Sequence, residues 1–340
     1  MNSFGRLFKV HIFGESHGES VGLTIDGCPA GLLLSADDFV ADIERRKGGA
    51  KGTTPRKEDD LPIFKSGLFN NKTTGAPITI LFENNNTHST DYAKQRAFPR
   101  PGHADFVAHK KFGGHEDFRG GGHFSGRLTV CIVAAGVIAK KLLSLSPALS
   151  AGEGITVEAA IKEIGDEADI EKGLQKAIEA KDTIGGIVEC KVNGLPIGLG
   201  EPFFDSVESV ISHAVFAIPA VRGIEFGSGF AAAKMFGSVH NDAIESAEGK
   251  TRTNNAGGIV GGITNGNEMV FRIAIKPTSS TPKEQQTLNW ETKEVETFSV
   301  KGRHDLCIAL RVPVVLEAVT AFVLADLLML ENRINRIIQS

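Results

Sequence analysis

The chain has 340 residues, of which 41% are hydrophobic and 23% are charged, and its formal net charge is -4. These values are ordinary for a packed globular protein, and they exclude a strongly basic nucleic-acid binder. The four cysteines are scattered and form no CxxC pair, which argues against a zinc or thioredoxin motif and predicts no metal site. Scattered cysteines and the absence of an apolar signal segment in residues 1–18 predict a cytoplasmic protein.

The alternation of apolar and polar residues predicts the strands, in chain order, at residues 9–13, 78–82, 187–192 and 269–275. Helices are predicted at residues 37–46, 126–145, 205–216 and from about Pro313 to 334. The two long helices are apolar on most faces, so we expect both to lie in the interior. Glu317 and Asp326 interrupt the more apolar of them, which argues against a membrane span. Few long helices and alternating strands predict an α+β layered sandwich of the β-α-α-β type, with antiparallel sheets around the helices.

A weak internal repeat divides the chain near its middle. The sequence IDGCPAGL at residues 25–32 matches VNGLPIGL at residues 192–199, and each copy is predicted as a strand, a Gly-Pro turn and a helix. This pattern predicts one domain over residues 1–340, built from pseudo-repeats at about residues 5–165 and 180–335. The alternative is a chance similarity between two Gly-Pro turns.

Two loops combine histidine with other polar groups. The sequence FGESHG at residues 13–18 follows a predicted strand and presents Ser16 and His17, and a histidine transfers protons near neutral pH. The sequence RPGHAD at residues 100–105 places Arg100 and His103 around a rigid turn, and arginine suits carboxylate or phosphate groups. The alternatives are a turn bonded to its own backbone in the first case, and an exposed Arg with a capping Asp in the second.

A glycine-rich loop, RGGGHFSGR at residues 119–127, leads into the first long helix. Free backbone N–H groups and a helix N-terminus together predict an anion site, although a flexible glycine loop is the alternative. The sequence KPTSS at residues 276–280 offers hydroxyl and ammonium donors, or is a common Ser/Thr turn. Asp305 of GRHD is either a helix cap or an acid/base, and the cations of RRKGGAK at residues 45–51 are usually those of a solvated helix end.

Two other functions stay open from the residues alone. The sequence GSGFAA at residues 227–232 fits the GxGxxA turn of an NAD(P)-linked oxidoreductase, but residues 234–241 lack the amphipathic helix that this turn requires. A non-catalytic anion-binding or RNA-binding module is the other alternative, and it predicts that changes of His17 and His103 are tolerated.

These motifs, in this order, resemble those of the chorismate synthase family. The family's first signature matches residues 14–29, its second matches residues 122–127 and the helix that follows, and its third matches Arg303, Asp305 and Glu317. The RPGHAD, KPTSS and NNAGG (residues 254–258) sequences are also similar to the family's, and the resemblance spans about residues 5–330.

The resemblance implies a lyase that converts 5-enolpyruvylshikimate 3-phosphate to chorismate and phosphate, the last common step of aromatic amino acid biosynthesis. The reaction is an anti-1,4-elimination that depends on reduced FMN without net redox change. The resemblance further implies a homotetramer that acts on a small anionic substrate and needs neither nucleic acid nor membrane. It leaves open whether NADPH or another reductant reduces the flavin.

The resemblance also implies roles for individual residues. His17 would lie near the flavin ring, His103 would protonate the leaving phosphate, and Asp305 would support deprotonation near flavin N5, with Ser16 and Ser125 as polar neighbours. Substrate anions would be bound by Arg46, Lys51, Arg100 and Arg127. FMN would be bound by His123, Phe124, Ser125, Ala220, Gly261, Lys276, Pro277, Thr278, Ser279, Ser280 and Arg303. Lys51, His123 and Phe124 depart from the residues that the family usually has, which affects the expected FMN-phosphate contacts.

Overall fold

Two antiparallel sheets enclose a pair of long helices in a computed structural model, which describes residues 2–55, 58–85, 96–145, 154–300 and 304–338. The strands are β1 Ser3–Phe4, β2 Lys9–Gly14, β3 Ser20–Asp26, β4 Ile63–Ser66, β5 Leu68–Phe69, β6 Lys72–Thr73, β7 Ile78–Glu83, β8 Thr156–Ile164, β9 Gly186–Asn193, β10 Val221–Phe226, β11 Ile259–Val260, β12 Ile263–Thr264, β13 Met269–Ile275, β14 Gln285–Leu288 and β15 Val295–Phe298. The α-helices are α1 Val40–Arg46, α2 Asp105–Phe112, α3 Thr129–Leu145, α4 Ile170–Ala180, α5 Val207–Val215, α6 Gly237–His240 and α7 Val312–Leu330.

The two main sheets have the same strand connectivity. The first has the strand order β1-β2-β3-β7-β4 and the second has the order β10-β13-β9-β8. Without β1, and with the second sheet read from β8, neighbouring strands in each sheet are the first, second, fourth and third along the chain. All pairs within them are antiparallel. The predicted α+β class with antiparallel sheets is therefore confirmed.

The long helices α3 and α7 pack against each other between the sheets. Helix α3 contacts β2 and β3 of the first sheet, and α7 contacts β8 and β9 of the second. The two helices cross closely at Gly136, where an added Cβ would lie 2.2 Å from the Cβ of Ala318. The layers are thus β-α-α-β, as predicted, and the helices form the centre of the core.

Both long helices are apolar enough to cross a membrane, yet they are core helices. The apolar windows of Gly126–Leu145 and Ile308–Leu330 are 72% and 94% buried within the fold. Helix α7 is apolar on most faces because other helices and the second sheet cover it. A short 3-10 turn, Gly126–Leu128, precedes α3 where the sequence predicted α-helix, because the Ser125 side chain accepts a hydrogen bond from the Arg127 N–H and caps this turn.

The two acidic residues of α7 are buried with partners. Glu317 accepts a bidentate pair of hydrogen bonds from Arg45 at 2.6 and 2.7 Å, and a further one from Lys140 at 2.7 Å. Asp326 accepts hydrogen bonds from the backbone N–H groups of residues 6–8. Burial alone would raise the pKa of Glu317, but Arg45 and Lys140 outweigh burial and lower it. These carboxylates tie α1, α3 and the N-terminal segment to α7.

Candidate active site

A cavity of about 670 Å³ opens where both long helices begin. Its wall includes Ser125, Leu128 and Thr129 from the start of α3, and Arg311 and Val312 from the start of α7. The first N–H groups at both starts are bonded within the 3-10 turns that precede the helices. Helix N-termini carry partial positive charge, so both favour an anion in this space. The sequence predicted this contribution for α3 alone.

The described part of the cavity wall is strongly cationic in a chain of negative net charge. Its acidic members are Glu58 and Asp305. Its lysines and arginines are Arg46, Lys47, Arg100, Arg127, Lys276 and Arg311. Such a surplus suits a small ligand with several negative charges, because buried anions need matched cations.

The glycine-rich loop brings the two predicted catalytic histidines together. Gly120, Gly121 and Gly122 all have left-handed backbone, with φ of 59°, 83° and 53°, which glycine adopts without steric cost. A Cβ on Gly120 would lie 2.2 Å from His17 Cε1, and one on Gly121 would lie 3.3 Å from His103 Cε1. His103 lines the cavity, whereas His17 is buried directly behind Gly120. Adjacent glycines thus hold the two imidazoles at one end of the cavity.

His103 is held by a carboxylate that the sequence offered only as a helix cap. Its Nδ1 donates to Asp105 Oδ1 at 2.6 Å, and Arg100 donates to both oxygens of the same carboxylate at 2.7 and 2.9 Å. Burial would raise the pKa of Asp105, but the hydrogen bonds from Arg100 and His103 outweigh burial and lower it. The ionised Asp105 therefore orients both side chains, as a carboxylate orients the histidine of a catalytic triad.

The predicted substrate-binding residues Arg46 and Arg127 are buried at another wall of the cavity. Both donate to Asp60: Arg46 Nη2 at 2.6 Å to Oδ2, and Arg127 Nη1 to Oδ1. Burial lowers the pKa of Arg46 to about 10, although Asp60 opposes that effect. Asp60 is not part of any motif found in the sequence. Its contact with the two arginines could not be predicted because they lie 14 and 67 residues away along the chain.

Asp305 lies in the cavity wall as the sequence predicted, but a residue outside the predicted set holds it. Arg311 Nη1 donates to Asp305 Oδ2 at 3.2 Å, and the Thr54 N–H donates to Oδ1 at 2.8 Å. Arg311 Nε also donates to the Arg46 carbonyl at 2.8 Å. Arg311 therefore connects the end of α1 to the start of α7 across the cavity. The sequence feature that could have indicated this role is the position of Arg311 just before the predicted helix.

The KPTSS loop lies beside the RPGHAD turn. Lys276 Nζ donates to Ser279 Oγ at 2.7 Å, and Ser279 Oγ donates to the Gly102 carbonyl at 2.8 Å. Arg100 Nη1 donates to Ser280 Oγ at 3.1 Å. Thr278 Oγ1 is buried and has no hydrogen-bond partner within the described parts of the chain. This loop therefore offers an ammonium and a hydroxyl that a ligand can bind.

Other predicted site residues either line the cavity or are buried behind its wall. Residues that line the cavity are His123, Phe124, Ser125 and Ala220. His123 Nδ1 donates to the Gly14 carbonyl at 2.8 Å. Ser16 and His17 are buried behind the wall.

Three predicted residues stand away from the cavity wall. Lys51 extends outwards and pairs with Glu171 at 2.7 Å, because α1 ends at Arg46 and the chain then turns away. Gly261 is exposed in the turn between β11 and β12, and Pro277 is also exposed. Arg303 lies outside the described residues.

The dinucleotide-binding alternative lacks its structural context. Gly227 follows β10, but residues Gly229–Lys234 form a 3-10 turn and the next helix, α6, has four residues. A dinucleotide site needs a full helix whose N-terminus faces the pyrophosphate. The structure therefore gives no support to the oxidoreductase interpretation.

The α+β sandwich and its cationic, histidine-containing cavity define an enzyme site for a small polyanion. Comparison with known proteins identifies the particular family. The family model for chorismate synthase matches residues 8–329. Chorismate synthase of Chitinophaga pinensis is 71% identical over 340 residues and covers 100% of both chains, and that of Dehalococcoides mccartyi is 44% identical over 361 residues, covering 99% of each. A crystal structure of chorismate synthase superposes with a TM-score of 0.72 at 26% identity, covering 96% of this chain and 93% of that one.

The chain belongs to the chorismate synthase family. It is thus a carbon–oxygen lyase of the shikimate pathway, which forms chorismate by 1,4-elimination of phosphate from 5-enolpyruvylshikimate 3-phosphate. The reaction depends on reduced FMN.

Proposed function

We propose that this elimination takes place in the cavity between the starts of α3 and α7, with His103 as the proton donor to the leaving phosphate. The observation that carries the proposal is the position of His17 and His103 against adjacent glycines of one loop. His103 lies in a wall whose described part holds six lysines and arginines. A proton donor beside concentrated cations is the arrangement that phosphate departure requires, because charge develops on the leaving oxygen.

Arg46, Arg100 and Arg127 are the proposed substrate-binding residues. The substrate carries two carboxylates and a phosphate. All three arginines line the cavity, Arg46 and Arg127 together at Asp60 and Arg100 beside His103. Asp305, held by Arg311 and Thr54, is the proposed carboxylate for the deprotonation step, with Ser16 and Ser125 as polar neighbours. Lys51 is left out because its ammonium group pairs with Glu171 on the outer surface.

The residues of the KPTSS and glycine-rich loops fit FMN. Thr278 Oγ1 is buried and aimed at no partner within the described chain, and Lys276 has hydrogen bonds but no carboxylate partner among the described residues. Burial and the neighbouring Arg222 lower the pKa of Lys276, so an anionic phosphate there would relieve an unfavourable environment. The cofactor would be held by His123, Phe124, Ser125, Ala220, Lys276, Thr278, Ser279 and Ser280. Pro277 is left out because its side chain is exposed. When bound by these residues, reduced FMN would supply electron density to the allylic system.

The decisive experiment measures phosphate release from 5-enolpyruvylshikimate 3-phosphate under anaerobic conditions with chemically reduced FMN. We expect release of phosphate and formation of chorismate in equal amounts, and none with oxidised FMN. Failure to release phosphate with reduced FMN would remove the proposal. A parallel assay with NADPH in place of the chemical reductant determines whether the enzyme reduces its own flavin, which we propose as one route of activation in the cytoplasm.

We also propose that the chain assembles into a homotetramer. Large aromatic side chains are exposed on one stretch of the second half: Phe203 is 86% exposed, Phe204 93%, Phe230 81% and Phe236 82%. Exposed apolar surface on this scale is typical of an interface between chains. Light scattering should give four times the 36.2 kDa chain mass, and Phe204→Asp should lower the assembled mass. A monomeric wild-type protein would contradict the proposal.

A further inference from the structure

A fully buried carboxylate, Asp60, joins two arginines of the cavity wall. Its side chain has 0% exposed surface, and those of Arg46 and Arg127 have 4% and 5%. Each arginine donates to a different oxygen of Asp60. The carboxylate is therefore divided between the two guanidinium groups, and it fixes the distance and the angle between them.

The backbone of Asp60 has a left-handed conformation, which is uncommon outside glycine, although Asp and Asn adopt it more readily than most residues. Its φ is 52°, a left-handed value that costs a residue with a Cβ free energy. Such strain persists where the surrounding structure fixes the residue, and it is concentrated at functional sites. Burial would raise the pKa of Asp60, but Arg46 and Arg127 outweigh burial and lower it, so the carboxylate stays ionised.

The two arginines differ in how the guanidinium nitrogen atoms that do not contact Asp60 are bonded. Arg127 uses its remaining groups within the protein: Nε donates to Asn84 Oδ1 at 2.9 Å, and Nη2 donates to the Glu83 carbonyl at 3.0 Å. Arg46 Nε is buried with no hydrogen-bond partner in the described parts of the chain, and its residue lines the cavity. The cluster of two cations and one anion thus has one net positive charge, and Arg46 Nε is a buried donor atom that the described parts of the chain leave unused.

We propose, building on the function proposed above, that Asp60 is a positioning residue that aims Arg46 at an anionic group of the substrate and occupies the place between the two arginines. By offsetting one of the two positive charges, Asp60 weakens the attraction of Arg46 and Arg127 for free inorganic phosphate, the product of the reaction. Without the negative charge of Asp60, Arg46 and Arg127 would attract inorganic phosphate from the cavity more strongly and bind it unproductively. Asp60 thereby favours the larger substrate over small inorganic anions.

The test compares Asp60→Asn with wild type, using inorganic phosphate as the probe. We expect inorganic phosphate to bind Asp60→Asn roughly threefold or more tightly by calorimetry, because one negative charge is lost between two cations. We expect kcat to fall about tenfold or more, because a guanidinium group displaced by about 1 Å loses its productive geometry. The matched control is Asp59→Asn, since Asp59 is the exposed neighbour of Asp60 and its replacement should change neither quantity.

Asp60→Glu separates orientation from charge. It keeps the negative charge but moves the carboxylate by one methylene, so kcat should fall while affinity for inorganic phosphate stays at the wild-type value. If Asp60→Asn does not fold, Asp60→Glu decides alone, and an unchanged kcat in that variant overturns the inference. A purely structural role predicts lower thermal stability with unchanged phosphate affinity and unchanged kcat per folded enzyme, which also overturns it. Phosphate binding needs no turnover, so an inactive wild type would sink the proposed function and leave this comparison intact.

Discussion

His103→Ala should lower kcat by about 10²- to 10⁴-fold, the usual contribution of a positioned proton donor, while substrate binding is largely kept. The binding groups survive the change because Arg100 stays paired with both oxygens of Asp105. Arg46 and Arg127 are likewise held by Asp60, away from His103. The variant therefore removes a proton donor from a cavity whose cations remain in place.

The measurement is single-turnover phosphate release with reduced FMN under anaerobic conditions, together with equilibrium binding of the substrate. His115→Ala is the matched control, since His115 is exposed just after α2 and does not line the cavity. We expect that control to behave as wild type. Near-normal turnover of His103→Ala would contradict the assigned role, and a large loss of substrate affinity with preserved kcat would move His103 from proton transfer to binding.

Gly136→Ala should destabilise the protein by about 2–3 kcal/mol, the cost of overpacking a dense interface. The new Cβ would lie 2.2 Å from Ala318 Cβ and 2.4 Å from Ala318 Cα. Ala318 Cα is part of the backbone of buried helix α7, and its Cβ is fixed directly to that backbone, so neither helix can yield without moving a sheet. The expected result is a lower melting temperature, measured by calorimetry on the apoenzyme.

The control for this change is Gly237→Ala in α6, where an added Cβ meets nothing within 4 Å. Alanine has the higher helix propensity, so this variant should be as stable as wild type or slightly more stable. Equal melting temperatures for Gly136→Ala and wild type would show that the helices separate without cost. That outcome would contradict the close crossing of α3 and α7.

The elements with strong periodicity were predicted well from the sequence. Strand β13 has the predicted bounds because its alternating residues face a core and a solvated side in turn. Helix α7 begins one residue before Pro313, as a proline in the first turn favours. Its predicted end at about residue 334 was four residues too late, since the chain leaves the helix after Leu330.

The residues that hold the site were harder to predict because their partners are distant in sequence. Asp60 meets Arg127 across 67 positions, and no periodicity or motif encodes that meeting. Asp105 was visible as part of a motif, but its bond to His103 depends on how the turn folds. Lys51 was assigned to the substrate by the family resemblance, whereas the residues alone predicted a solvated helix end, and in the structure its ammonium group pairs with exposed Glu171.

We propose that the two halves of the chain descend from a duplicated unit. The shared strand connectivity supports this, and so does a repeated local hydrogen-bond pattern. Thr73 Oγ1 donates to the Pro29 carbonyl at 2.6 Å, and Thr264 Oγ1 donates to the Pro196 carbonyl at 2.7 Å. Each hydroxyl also accepts a bond of 2.9 Å, from the N–H of Leu32 and of Leu199 respectively.

The crossing of α3 and α7 at Gly136 restricts how the enzyme can enclose its ligands. Hinge closure between the two halves would have to slide one helix over the other, and the contact with Ala318 leaves no clearance for that movement. We therefore expect the two sheets to stay fixed relative to each other through the catalytic cycle. Shutting out water and oxygen falls to the segments at the rim of the cavity, so structures with and without ligand should share one unchanged helical pair.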